Sequence, residues 1–421
     1  SPFYPVEPYY PGPSECKIEQ VNLLYRHGAR HPTLGAGARM ASTLEKLLSA
    51  SSLSPRLRFV ESYEWQFNAG DLLPYGAKEG YIAGQIAFER YGALLGTGAT
   101  FSSTPFLRVS LSQRVVDTAT NWTLGFAAAG NFSTNIYSPV LIPESRTVNN
   151  TLDDKNCPNR DESISDARQA QFLATFAPTI TAALNAEAPG SDLDDTDVVN
   201  LYFLCAFDSL LREGLSPFCL LFDTSTWKDL ETYQDVGKFY LTGPGNPLGP
   251  VQGVGYVSEL IARLTSQPVR NTTNINRPLD ASPDTFPLDR KIYVDFSHDN
   301  QVVPIYAALG LYNNSTRTNF KASEVVPFAG RLAVEKYSCP SGSPTSISSR
   351  SKRAWKQYVR FVSNDRVMKS TCNEANTLAS SNGTMCELEA FIDTLDYVTG
   401  ANGNDEAERE WEKCVAQPTD S

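Results

Sequence analysis

The sequence predicts an α/β protein in which a mixed sheet flanked by helices is interrupted by a mainly α-helical insertion. Two observations carry that reading. Apolar, strand-like runs lie towards both ends of the chain, at residues 18–25 and 291–296, while apolar residues at three- and four-residue spacing fill the middle. Each of the two runs also leads straight into a polar motif, at the place where open α/β sheets form ligand crevices. The expected division is a discontinuous α/β domain, residues 1–110 and 245–421, around an inserted helical domain, residues 111–244.

The elements follow in order. Residues 1–14, rich in Pro and Tyr, read as an extended surface arm. The strand at 18–25 feeds Arg26-His27-Gly28-Ala29-Arg30-His31-Pro32. Helices are expected over 39–50 and 76–91, then a short strand over 106–109. Ser112 is placed to cap a helix running through Val115, Ala119, Trp122 and Phe126. Helical spacing continues over 167–187, 197–212, 227–240 and 253–264. Strand character returns at 291–296, 332–337 and 358–362, with a late helix over 387–398. The Ser-rich stretch 341–351 reads as a loop.

Composition narrows the partners. The chain has 421 residues and a formal net charge of −11, which argues against nucleic acid and anionic membranes. Its eight cysteines form no C-x-x-C pair, and an even, scattered set reads as disulfides of an oxidising compartment. Seven glycosylation sequons, at Asn121, Asn131, Asn149, Asn271, Asn313, Asn314 and Asn382, point the same way. The opening Ser-Pro-Phe-Tyr, with neither Met nor an apolar leader, reads as a mature chain after signal-peptide removal. The expectation is a secreted, extracellular monomer.

With only His27, His31 and His298, an H-E-x-x-H zinc site is impossible, and neither a phosphate-cradling GK[ST] loop nor a G-x-S-x-G elbow is present. Chemistry therefore concentrates in two places. In Arg26-His27-Gly28-Ala29-Arg30, two guanidinium groups flank an imidazole, and each can fork onto phosphate oxygens. Gly28 lets the backbone turn and an anion approach, and the clustered cations favour the neutral, nucleophilic form of His27. A charged turn with an incidental histidine is the plainer reading of three such residues, but not of seven at the end of an apolar strand. Asp299, in Ser297-His298-Asp299-Asn300, offers a carboxyl able to protonate a leaving alkoxide, and His298 a donor to phosphate. The plainer alternative there is a polar helix cap. The arginines supply the charge such chemistry needs, so no metal and no cofactor is expected.

These motifs resemble the histidine acid phosphatases, whose signature is RHGxRxP near the N-terminus and a distal HD, and are most similar to those of fungal secreted phytases. Residues 71–76, 245–250, 252–256, 259–264, 295–300 and 326–329 support the likeness. The resemblance implies a histidine phosphatase-like fold and hydrolysis of phytate through a phosphohistidine on His27, with Asp299 as proton donor. It assigns the phosphate to Arg26, Arg30, Arg108 and His298, with Arg108 preferred over Arg114. His31 is expected to be a supporting or surface group. Arg39 and Lys238 are candidate contacts at the substrate rim, where many fungal phytases carry more lysines. A broad-specificity acid phosphatase, or a non-catalytic anion- or glycan-binding protein on the same fold, would be the alternatives. The cysteine count alone leaves 105 connectivities open. The resemblance implies Cys16–Cys339, Cys157–Cys414, Cys205–Cys219 and Cys372–Cys386, the two short loops contributing roughly 3 kcal/mol each.

Overall fold

The computed structural model describes residues 1–96, 104–133, 138–340 and 354–416. Its centre is an eight-stranded sheet: β1 (Lys17–Arg26), β2 (Phe106–Leu111), β3 (Val140–Pro143), β4 (Ile292–Ser297), β5 (Arg331–Pro340), β6 (Trp355–Ser363), β7 (Arg366–Val367) and β8 (Met385–Glu387). The order is β3-β2-β4-β1-β5-β6-β7, with β8 beside β6. Strands β3, β2, β4 and β1 run parallel, and β5 and β6 turn antiparallel. This is the mixed sheet the sequence predicts. Because β1 pairs with β4 in register, Arg26 lies opposite Ser297 and the two polar motifs leave the sheet side by side.

Helices cover both faces, which is why β1 is buried from Gln20 onwards and β4 throughout. Val21, Leu23 and Tyr25 point to one layer, where they meet Trp122 and Phe126; Leu24 points to the other, with Val254, Val302 and Leu332. The first layer is α2 (Pro74–Tyr91) with α3 (Gln113–Gly130). They pack backbone to backbone: a Cβ on Gly84 would sit 2.0 Å from the Trp122 carbonyl, and one on Gly125 1.9 Å from that of Tyr81. The second layer is α8 (Val251–Thr265) with α10 (Asp299–Ala308).

A separate apolar cluster joins α1 (Leu34–Leu48), α4 (Ser163–Leu173), α5 (Ala177–Glu187), α6 (Asp195–Leu211) and α7 (Thr224–Leu241). These helices thus share an apolar cluster of their own. Helix α3 packs on the sheet and β3 extends it, whereas Met40, Leu44 and Leu47 of α1 enter the helical cluster. The helix expected over 167–187 is two helices, since Phe176 leaves helical geometry just before Ala177 and Pro178. The late helix over 387–398 is likewise split, into Leu388–Asp393 and Asp396–Thr399. Ser112 occupies the capping position of α3 with extended backbone, yet its side chain makes no capping bond. The short helix α9 (Arg277–Asp280) lies in the connection to β4.

Disulfides join Cys16 to Cys339, Cys157 to Cys414, Cys205 to Cys219 and Cys372 to Cys386, the pairs the resemblance implies. Of the sequon asparagines, Asn131, Asn149, Asn313, Asn314 and Asn382 are exposed and Asn121 is half-buried. Asn271 is a correction: it is buried, its amide donates to the Val398 carbonyl and its oxygen accepts from Thr273, so a glycan does not fit there. Among the described residues no helix is long and apolar enough to cross a membrane. The loop expected at 341–351 lies outside the described residues.

Candidate active site

The turn after β1 is pinned from several sides. The His27 N–H bonds to the Ser297 carbonyl at 3.1 Å, tying the motif to the end of β4. The Gly28 N–H donates to Thr118 Oγ1 on α3 at 3.0 Å, and the Ala29 N–H to Glu79 Oε2 on α2 at 2.7 Å. Glycine is required at 28 by close packing: a Cβ there would lie 2.4 Å from the Gly76 carbonyl, and one on Gly76 2.1 Å from that of Ala29. His27 Nδ1 lies 2.9 Å from the Gly28 carbonyl, so Nδ1 carries the hydrogen and the lone pair is left on Nε2. Burial, then Arg26, His298, Arg30 and Arg114, hold its pKa well below the usual imidazole value. It is a neutral, oriented nitrogen among cations.

The second motif closes the site. His298 precedes α10 and Asp299 is its first residue. The rings of His27 and His298 meet edge to face at 5.5 Å. Asp299 Oδ2 lies 3.3 Å from Arg26 NH2 and 2.6 Å from Lys238 Nζ. Burial pushes this carboxyl up, but Arg26 and Lys238 outweigh it and hold it well below the ordinary carboxylate range. Arg30 donates to the His31 carbonyl at 2.8 Å and carries no carboxylate among the described residues; burial and Arg26 lower it to about 10.

The arginine expected as the fourth phosphate ligand sits in the core. Arg108 lies within β2, opposite Asp295 in the register, and only 2 % exposed. Its Nε bonds Asp295 Oδ1 at 2.8 Å and its NH2 bonds Glu259 Oε2 at 2.7 Å, while Arg263 takes the other Asp295 oxygen at 2.6 Å. Both ends of that guanidinium are committed to buried carboxylates. Arg114, in the first turn of α3, instead places NH2 3.2 Å from His298 Nδ1, with no carboxylate partner among the described residues. A signal for it existed: a residue that opens the helix after β2 stands at the sheet's carboxyl edge, whereas one inside the strand faces a layer of core.

Glu144, which the sequence reading passed over, follows β3 and reaches His298 Nε2 with Oε1 at 2.5 Å. Together with Asp153 these ligand atoms lie within 4.8 Å of one another, a spacing that could hold a cation. Glu144 is already occupied, however, by His298 and Ser110 on Oε1 and Lys155 on Oε2, so the arrangement reads as an ion-pair network. One further departure concerns the rim. Lys238 is not a free rim group: it bonds both Asp299 and Asn300 Oδ1. Arg39 is exposed on α1. His31 is buried rather than on the surface; it accepts from the Asn68 N–H at 3.3 Å and packs against Phe67.

A sheet with a buried histidine and unpaired arginines at its carboxyl edge defines a phosphate-handling α/β protein, and the match to the family model is specific. Residues 17–364 match the histidine phosphatase superfamily (branch 2), and the chain belongs to that family. It is 36 % identical to Phytase A of Aspergillus fumigatus over 428 residues, covering 96 % of this chain and 86 % of that one. Phytase A of Neurospora crassa is 34 % identical over 474 residues, covering 99 % and 91 %. Among solved structures, the phytase from D. castellii superposes with a TM-score of 0.74 at 22 % identity, covering 96 % of this chain and 83 % of that one. The multiple inositol polyphosphate phosphatase of Bifidobacterium longum, solved with inositol hexasulfate, gives 0.62 at 13 % identity, covering 96 % and 98 %.

Proposed function

We propose that this chain is a phytase, hydrolysing phytate and related phosphate monoesters through a phosphohistidine at His27. One observation carries the mechanism: His27, Arg26, Arg30, Arg114, His298 and Asp299 converge where β1 and β4 end. In the first step His27 Nε2 attacks phosphorus in line. The N–P bond forms, the bond to the ester oxygen breaks, and Asp299 gives that oxygen its proton. In the second step water attacks phosphorus, the N–P bond breaks, and Asp299 recovers a proton from the water. Arg26, Arg30, Arg114 and His298 hold the phosphoryl oxygens throughout and act as the fixed positive charge that carries most of the catalysis.

Arg26 and Lys238 hold Asp299 in its ionised form. A phosphate ester brings negative charge to the same cations and weakens their hold on the carboxyl, so substrate binding itself loads the acid with its proton.

Phytate as substrate rests on the Phytase A relatives and on structural neighbours that act on inositol polyphosphates. Four disulfides and the exposed sequons support secretion. A broad-specificity phosphatase is favoured by one feature, the commitment of Lys238 to Asp299 rather than to the rim. Comparing kcat/KM for phytate and p-nitrophenyl phosphate in mild acid decides between them. A clear preference for phytate is expected; equal or better use of the small ester would make the enzyme a general acid phosphatase.

A further inference from the structure

We propose that Glu144 is a positioning residue for phosphoryl transfer: it fixes the His298 ring and serves as its counter-charge, so that Nδ1–H can be offered to a phosphate oxygen. This rests on the reaction proposed above. The carboxylate is anchored independently of the ring it serves. Strand β3 lies beside β2, and Ser110 of β2 donates to Glu144 Oε1 at 2.8 Å. Asn150 Nδ2 in turn donates to Ser110 Oγ at 3.2 Å, and Lys155 Nζ holds Oε2 at 3.0 Å. His298 Nε2 completes the set at 2.5 Å, with the Glu144 side chain only 9 % exposed.

The hydrogen count on the ring gives this contact its purpose. A guanidinium only donates, so the 3.2 Å approach of Arg114 NH2 makes His298 Nδ1 an acceptor, and the ring's one hydrogen sits on Nε2, donated to Glu144. A phosphate oxygen also only accepts. For His298 to bind it, Nδ1 must gain a proton and the ring a positive charge, in a site already holding Arg26, Arg30 and Arg114. The groups facing His298 are Arg114 and His27 on one side and Glu144 and Asp153 on the other. Of the two acids, Glu144 supplies the dependable negative charge. Burial pushes it up, yet its bond to His298 and those to Ser110 and Lys155 bring it down to about 2. Asp153 is pushed up to about 6 by burial and by Glu144 and Asp154. The proton gained at Nδ1 comes from solvent or from the ester monoanion, and returns when phosphate leaves.

The test is competitive inhibition by sulfate, an oxyanion that stays a dianion throughout the acid range, measured across pH with p-nitrophenyl phosphate as the reporter substrate. Glu144→Gln is expected to weaken sulfate binding by about tenfold and to move the loss of binding with rising pH to lower pH. His298→Ala should weaken it too, and adding Glu144→Gln to His298→Ala should cost little more. Glu144→Asp, which keeps the charge and shortens the reach, should fall in between and serves as the reading variant if Glu144→Gln does not fold. Sulfate binding by Glu144→Gln with wild-type strength and pH dependence, or an undiminished effect on the His298→Ala background, would overturn the inference. Unchanged sulfate binding in His298→Ala would instead overturn the phosphate-site reading on which it rests.

Discussion

Two groups of arginines lie close together in this protein and do opposite things. In the buried group, Arg108 spends Nε and NH2 on Asp295 and Glu259, and Arg263 spends both terminal nitrogens on Asp295. In the group around His27, Arg26 shares Asp299 with Lys238, while among the described residues Arg30 and Arg114 have no carboxylate: Arg30 meets the His31 carbonyl and the rings of Phe207 and Phe328, and Arg114 the His298 ring nitrogen. Residue type and nearness to the sheet do not separate the two groups, and burial does so only by degree, Arg26 being buried and Arg30 and Arg114 half-buried. Counter-charge does. Arginines saturated by carboxylates hold a fold together, and arginines short of them are left to bind an anion.

The largest effect expected is on the group that the arginines surround. His27→Ala should lower kcat by at least about 10⁴-fold with an unchanged melting temperature; substantial remaining turnover would break the covalent route. Next comes the direct contrast. Arg114→Met should cost about 10²–10³ in kcat/KM with little change in stability. Arg108→Met should destabilise by about 3–5 kcal/mol, because it strands Asp295 and Glu259 in the core, while whatever folds retains its KM. The reverse outcome, a stable but inactive Arg108→Met, would reinstate Arg108 as a phosphate ligand.

That contrast also marks what the sequence made legible. The sheet and both polar motifs could be read, because an apolar run followed by a dense cluster of His, Arg and Asp has few other uses. His27 and His298 therefore fell where the motifs put them. Arg108 against Arg114 was legible only in part: the helix-opening place of Arg114 is a local signal, but the strand register that turns Arg108 onto Asp295 is a long-range fact. Glu144 carried no local signal; it matters only because β3, a four-residue edge strand, delivers it to His298. Lys238 read as a rim contact because nothing in the chain between 238 and 299 shows that α7 folds back over Asp299.

Smaller effects sharpen the comparison. Burial pushes Asp295 up, but Arg108 and Arg263 outweigh it and set its carboxyl far below the unfolded value near 3.9. A carboxyl depressed in the folded state contributes stability above that unfolded value, which is lost as pH falls through the folded one. Asp295→Asn should therefore destabilise most above about pH 4 and progressively less in stronger acid, readable from melting curves across pH. A constant deficit would mean that packing, rather than charge, is what Asp295 provides. At the site, Lys238→Met removes one of the two cations on Asp299 and lets it hold its proton longer. The alkaline limb of kcat, which reports the substrate-bound enzyme, should move up by about one pH unit; an unmoved limb would show that Lys238 does not tune the acid.

The most direct measurement is to quench the enzyme during turnover of a radiolabelled phosphate monoester and map the label. The account predicts an acid-labile, alkali-stable phosphoryl group on His27, absent in His27→Ala and accumulating in steady state. Label on any other residue, or full turnover with no labelled protein at any quench time, would contradict it.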